Sequence, residues 1–343
     1  LANNNAGQYL IRSAFEDRSI LSLCQDTIRP LYEARAKQAV LLAAYSGLLT
    51  ETWQQANPGL ETVAELLERT PEPPQGRGGR QATTDVIEGV GGISVNDPGT
   101  AIPEGWGRVG LRRLARQESG HTPSRKHPEW WGGDVPWIGI PDANIHHGRA
   151  ISDTLQTTNA EGLANSSARL LPAGTVCLSR TASVGYVTIM GRSMATSQDF
   201  ATWTCSAALD PEYLMFALMS EGESIRRFGE GSTHTTIYFP EIRAFHIKLA
   251  PLAEQKEIVR RIHSALSSID RIVDESEQAE QLLDRLDRVL VEKAFRGELA
   301  PQDVSGESTE PSLAHVRETH GARPMDRQGP AQALATQTRR RRA

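Results

Sequence analysis

The 343-residue chain has three cysteines, Cys24, Cys177 and Cys205, odd in number and far apart. That excludes a disulfide framework and the paired spacing of a zinc site, and leaves buried thiols in a reducing compartment as the expected reading. No run of about 18 uncharged apolar residues occurs, the length a spanning helix needs. The best stretch, Ala39 to Leu49, is too short and is broken by Ser46 and Gly47. No membrane partner is expected, and with no basic-then-apolar leader in view the expected location is cytoplasmic. Positive charge is also in short supply. A formal net charge of −5 argues against a simple electrostatic glove for nucleic acid.

The distribution of charge says more than the total. Residues 104–250 carry 14 basic and 14 acidic groups, whereas residues 1–103 carry 8 and 12 and residues 251–300 carry 8 and 11. A neutral middle block thus lies between two acidic parts. Twelve of its 14 cations are arginine, the residue better suited to planar, bidentate recognition of bases and phosphates.

Before this block, Ile20, Leu23, Ile28, Leu31, Leu41, Leu42, Tyr45 and Leu48 recur at helical spacing, with Gly47 placed to end a helix. Pro30 fits a first turn, so the part before it is either a separate short helix or a kinked one. Leu1 opens directly onto an Asn-rich polar stretch, and we expect further sequence upstream. Residues 51–103 are rich in Gly, Pro, Gln and Thr, above all from Pro71 to Gly79, and read as a linker.

Within 104–250 the spacing predicts strands at Val135 to Ile140, Thr175 to Ser179, Tyr186 to Met190, Phe200 to Cys205, Thr235 to Phe239 and His246 to Leu249. One helix, Pro211 to Met219, interrupts them. The expected fold class is α+β, with one mixed α/β domain between long helices. From Pro251 a helical pattern runs to Gly297, roughly 70 Å at 1.5 Å per residue. Ile258, Ile262, Ile269, Ile272, Leu283, Leu286 and Leu290 fall on one heptad seam, which needs a partner helix because an exposed apolar seam is unfavourable in water. The helix ending at Gly47 is the expected partner, in the same chain or in another copy. Residues 300–343 are polar, end in four arginines and a final alanine, and read as a disordered tail.

Five short strings occur in order: Glu104-Gly105-Trp106; Gly120-His121-Thr122-Pro123 followed by Trp130 to Ile138; Gly231-Ser232-Thr233-His234; Pro251-Leu252-Ala253-Glu254-Gln255; and Phe295-Arg296-Gly297-Glu298-Leu299. Together they resemble the specificity subunit of type I restriction-modification systems, over residues 31–53 and 104–300. The resemblance implies that residues 104–250 are a target-recognition domain for double-stranded DNA. It also implies that residues 1–50 are the end of a central conserved helical region and 251–299 a distal conserved helix, pairing as an antiparallel coiled coil. The family pattern has two recognition domains, and this chain supplies one. A missing N-terminal half or a second copy of the chain is therefore an expected partner for reading the other half of a bipartite site.

The resemblance further implies a non-catalytic subunit that binds no cofactor itself. Methyltransferase subunits would bring S-adenosylmethionine, and restriction or translocase subunits would bring ATP and Mg. Consistent with this, Asn57-Pro58-Gly59 is not the Asn-Pro-Pro-aromatic string of adenine methyltransferases, and no Gly-x-x-x-x-Gly-Lys-Ser/Thr loop occurs.

Polar residues on loops can reach base edges and phosphates. The expected DNA-contacting groups are Ser119, His121, Thr122, Ser124, Arg125 and Lys126; Ser179, Arg180 and Thr181; Thr196, Ser197 and Gln198; and Ser232, Thr233, His234 and Thr235. Arg125 and Arg180 suit guanine edges or phosphates, Gln198 an adenine edge, and Lys126 and the hydroxyls mainly phosphates. Trp130, Trp131 and Trp137 are expected as scaffold rather than as stacking platforms. The competing reading is a coiled-coil adaptor whose head binds protein. A metal-dependent hydrolase resting on Asp142, His146 and His147 is disfavoured, because adjacent histidines on an extended strand face opposite ways.

Overall fold

The computed structural model describes residues 28–76, 81–230 and 235–299, and the chain divides into two compact units between Glu277 and Gln278. The helices are α1 (Arg29–Tyr45), α2 (Glu51–Ala56), α3 (Val63–Arg69), α4 (Leu111–Leu114), α5 (Ile140–Ile145), α6 (Ala160–Ala164), α7 (Pro211–Ser220), α8 (Phe239–Arg243) and α9 (Leu252–Phe295). The strands are β1 (Ile93–Val95), β2 (Gly107–Gly110), β3 (Ala115–Ser119), β4 (Trp131–Ile138), β5 (Ala150–Ile151), β6 (Gln156–Thr158), β7 (Val176–Ser179), β8 (Val187–Met190), β9 (Ala195–Thr196), β10 (Phe200–Cys205) and β11 (Phe245–Leu249). Among the described residues they form sheets in the orders β1-β11-β2, β3-β10-β7-β8-β5 and β6-β4-β9. Pairing is antiparallel except between β5 and β8 and between β4 and β9. The fold is α+β, as the sequence predicts.

The core forms around α7. Asp210 caps this helix, accepting from the backbone N–H of Glu212 and Tyr213 at 2.9 and 3.1 Å, and Pro211 takes the first position where its missing N–H is harmless. Tyr213 to Leu218 are all buried, so α7 is apolar on every side and runs through the interior. Trp203, Phe228 and Phe245 are also fully enclosed, and each large side chain contributes about 1.5–3 kcal/mol when buried. A smaller cluster of Ile138, Met190, Met194 and Phe200 forms a second core.

Residues 51–103 are not a linker. They contain α2, α3 and β1, and β1 pairs with β11 from Ile93–Ile247 to Val95–Phe245. Their glycines permit close approach: a Cβ at Gly91 would lie 2.1 Å from Ser220 Oγ, and one at Gly89 1.9 Å from Ile93 O. The buried Glu221 carboxylate accepts from the backbone N–H of Val90, Gly91 and Ile93 at 2.8–3.0 Å, and Ser220 Oγ accepts from Gly92. Composition suggested flexibility, but these bonds fix the segment to the end of α7. The strand expected at Thr235 to Phe239 is also absent. Thr236 forms a lone bridge to Glu230, and Pro240 sits in the first turn of α8, where a strand hydrogen bond would be lost.

Both predicted stops are present. Gly47 and Gly297 adopt φ of +84° and +72°, the left-handed conformation that ends helices. Within the first unit α1 runs antiparallel to the proximal part of α9: Arg29 pairs with Glu277, Lys37 with Asp270, and Arg261 donates to Leu49 O. Along the expected seam, Ile258 and Ile262 are fully buried and Ile269 is half-buried. Among the described residues, Ile272, Leu283, Leu286 and Leu290 are instead exposed by 62, 57, 51 and 41%. α1 is 17 residues and α9 is 44.

Two of the recognised strings meet at the base of α9. Glu254, 1% exposed, accepts from Thr50 Oγ1 and Gln54 Nε2, both at 2.7 Å, and from Trp106 Nε1 at 2.9 Å. Gln255 accepts from Asp210 N and donates to Ala208 O and Ala250 O. These adjacent side chains join α9 to the segment after α1, the start of the head and the cap of α7.

Candidate nucleic-acid interface

The loop after β3 begins with a glycine because nothing larger fits. A Cβ on Gly120 would lie 2.0 Å from Thr196 Oγ1 and 2.3 Å from Ser197 O. That proximity lets His121 N donate to Thr196 O at 2.9 Å and Thr122 Oγ1 to Gln198 Oε1 at 2.6 Å. Trp137 Nε1 donates to His121 O at 3.1 Å from below. Loops 120–122 and 196–198, separated by more than seventy residues in the chain, are thus joined into one surface.

Arg180 joins a third loop to them. Its backbone N donates to Asp199 O at 2.8 Å, and Nη2 donates to Gln198 O at 2.9 Å. The guanidinium lies 4.6 Å from the centre of the Phe239 ring, while Nε makes no hydrogen bond among the described residues. Burial holds its pKa below the usual arginine value, with Asp199 opposing the shift. Thr181 Oγ1 donates to Thr236 Oγ1 at 3.2 Å, bringing in the end of the fourth predicted loop. Thr235 is half-buried beside it, whereas Ser232, Thr233 and His234 lie outside the described residues.

Three predicted contacts are in the wrong place for DNA. Ser179, Thr196 and Ser197 are buried: Ser179 Oγ donates to Ser183 O, Ser197 Oγ donates to Asp199 Oδ2 at 3.0 Å, and Thr196 is enclosed under Gly120. They support the loops instead of presenting a polar group. The outer surface carries His121, Ser124, Arg125, Lys126 and Gln198 exposed, with Ser119 and Thr122 half-exposed.

Arg125 is the most organised of the exposed cations. Its guanidinium lies 3.6 Å from the centre of the Trp131 ring and 5.4 Å from that of Trp137, and it donates to Gln156 Oε1. Trp131 and Trp137 meet edge-on at 5.2 Å. Trp131 and Trp137 therefore place a planar cation with donors left over.

Beside these loops opens a cavity of about 710 Å³, walled by Glu118, Ser119 and Thr181 and by four arginines, Arg112, Arg169, Arg180 and Arg243. Glu118 Oε1 accepts from Arg169 at 2.8 Å and from Arg116 at 3.0 Å. Burial and the neighbouring Arg112 both hold the Arg243 pKa below its usual value. Sequence reading singled out Ser119, Arg180 and Thr181 but not Arg112, Arg169 or Arg243. These three come from separate segments with no shared motif, and only the fold brings them together.

Asp142 has a structural role. It is buried, with Oδ2 accepting from Gly139 N at 2.9 Å and Oδ1 from Leu155 N at 2.7 Å. His146 and His147 follow the end of α5 in a turn rather than on a strand. Among the described residues no three His, Cys, Asp or Glu side chains gather as a metal site would require, and no helix is long and apolar enough to cross a membrane.

The family described as the type I restriction modification DNA specificity domain matches residues 103–281, more than half of the chain, spanning both the loop surface and the paired part of α9. The chain belongs to this family. It is 27% identical over 188 residues to the type I restriction enzyme MjaIX specificity subunit of Methanocaldococcus jannaschii, a match covering 54% of this chain and 42% of that protein. Against the HindI specificity subunit of Haemophilus influenzae it is 29% identical over 136 residues, covering 39% and 29%. The chain spans less than half the length of either relative. Solved structures similar to it include a chain from work on assembly and conformational transition of the type I R-M system, with TM-score 0.48, 18% identity and coverage of 83% and 60%. Another is the HsdS subunit of Thermoanaerobacter tengcongensis, with TM-score 0.45, 20% identity and coverage of 59% and 48%. Among the described residues it carries one such specificity domain.

Proposed function

We propose that residues 104–250 read the sequence of double-stranded DNA, as one half of a bipartite site, on behalf of methyltransferase subunits that dock on the helices and the head. The observation that carries this reading is the convergence of three loops, at 120–125, 180–181 and 196–198, on a single exposed face. Major-groove reading needs donors and acceptors on side chains fixed in register. Arg125, held 3.6 Å from the centre of the Trp131 ring, offers a fork for a guanine edge. Gln198 offers an amide for adenine, with Thr122 bonded to its oxygen. Lys126 and Ser124 stand beside them for phosphates.

On this reading the subunit contributes specificity and no chemistry. Methyltransferase partners supply S-adenosylmethionine and restriction partners supply ATP and Mg, in the cytoplasm where their DNA is. The other half-site is read by a second copy or by an N-terminal half. A second reading, a coiled-coil protein adaptor, is favoured by one observation, the exposed apolar side chains of Leu283, Leu286 and Leu290. Combining the chain with a type I modification subunit and mapping methylated adenines across genomic DNA separates the two. Methylation confined to one sequence supports the reader; uniform or absent methylation supports the adaptor.

A further inference from the structure

The arginine-lined cavity beside the recognition loops has no explanation in core packing. Four guanidinium groups, on Arg112, Arg169, Arg180 and Arg243, border a space of about 710 Å³ whose lining among the described residues includes one carboxylate, Glu118, shared between Arg116 and Arg169. Gathering like charges around a partly enclosed space raises the energy of the fold, and a bound anion relieves it. Burial lowers the Arg243 pKa, and the neighbouring Arg112 lowers it further.

The chemistry of the wall narrows the choice of anion. Guanidinium forks match the oxygens of a phosphodiester bidentately, and Ser119 and Thr181 lie at the rim with their hydroxyls donating to Gly120 O and Thr236 Oγ1. A base edge would need matched donors and acceptors in one plane, and this wall supplies donors from several directions. Arg180 links the cavity to the reading loops, since it lines the cavity and donates to Gln198 O at 2.9 Å. A phosphate held here would lie next to the bases met by Gln198 and Thr122, where a backbone contact sets register.

We infer that this cavity is a seat for a DNA backbone phosphate, with Arg112, Arg169 and Arg243 as sequence-independent contacts that fix the register of the recognition loops. The inference rests on the DNA-reading proposal and adds to it a site and a division of labour: the cavity positions, and the loop face specifies.

Fluorescence anisotropy of the full chain with labelled duplex, titrated across roughly 50–200 mM salt, tests it, because each neutralised phosphate contributes about 0.9 to the slope of log K against log salt. Arg169→Ala and Arg243→Ala are each expected to lower the magnitude of the slope, by up to about 0.9 for the single phosphate they share, while Arg169→Lys and Arg243→Lys preserve it. Arg112→Ala, at an exposed position that does not threaten folding, is expected to do the same. Sequences selected from a randomised duplex pool should be identical for wild type and variants. Unchanged slopes in all three alanine variants while the wild type binds DNA would overturn the phosphate seat alone. An altered base preference would also overturn it, by making these arginines readers. A wild-type chain with no duplex binding would overturn the DNA-reading proposal and the seat with it.

Discussion

The indole Nε1 of Trp106 donates to Glu254 Oε2 at 2.9 Å, joining the first residues of the head to the first turn of the long helix across 148 positions of sequence. Thr50 and Gln54 donate to the other oxygen of the same carboxylate, so three chain segments converge on one buried acceptor with no cation among its hydrogen-bond donors. The strings Glu104-Gly105-Trp106 and Pro251-Leu252-Ala253-Glu254-Gln255 thus meet in a single joint with the segment after α1.

Removing the acceptor should therefore be far worse than removing one donor. Glu254→Ala leaves three donors unsatisfied and is expected to destabilise the chain by roughly 3 kcal/mol, whereas Trp106→Phe should lose about 1 kcal/mol. Urea unfolding monitored by circular dichroism measures both. Equal, small losses would mean that the joint contributes little.

Gly120 makes the second prediction. Gly120→Ala places a methyl group where Thr196 and Ser197 already stand, and should destabilise the protein by about 1–3 kcal/mol through overpacking. It should also separate the loop bearing Thr122 from the one bearing Gln198 and weaken DNA binding. Ser124→Ala, exposed on the same loop, should leave the thermal midpoint unchanged. Matching midpoints for the two variants would show that the loops are not held together there.

The helix seam should behave differently along its length. Ile262→Ala opens a cavity at a fully buried position and should lose about 2–5 kcal/mol, whereas Leu286→Ala, half-exposed, should change stability by no more than about 0.5 kcal/mol in the chain alone. Denaturant midpoints of the two variants decide it. A large loss at Leu286 would mean that its side chain is covered in solution.

Acid should release one contact near the end of α1. Arg260, followed by Arg261, holds the Glu257 pKa at about 2, below its ordinary 4.5, and Arg261 also donates to Leu49 O. The folded pKa is the lower one, so the stability this carboxylate contributes is fully present above about 4.5 and is lost as pH falls through about 2. Glu257→Gln should therefore flatten the acid limb of the stability profile in that window. An unchanged limb would place the acid sensitivity elsewhere.

What the sequence revealed and what it hid follow from the range of each interaction. β10 was legible as Phe200 to Cys205, and α7 was legible to within one residue, because apolar patterning and the Asp210-Pro211 start are local signals. β1 was hidden, since the glycines just before it look like a linker until Glu221 and Ser220, about 130 positions away, are seen to bond the backbone there. β3 was hidden as well: Ala115 to Ser119 is polar and becomes a strand only through pairing with β10. At the interface, loop membership was legible but direction was not. Arg125 and Gln198 face outward while Ser179, Thr196 and Ser197 face inward, a difference set by which loop crosses above them. Arg112, Arg169 and Arg243 meet through tertiary structure alone, beyond the reach of spacing.

The most direct measurement is selection of a randomised duplex pool by the purified full chain, beside the variant carrying both Arg125→Ala and Gln198→Ala. The wild type is predicted to enrich a short defined sequence, and the variant to lose preference at one or two of its positions, about 1–3 kcal/mol each. No enriched sequence, or the same sequence recovered equally by both proteins, would contradict the account.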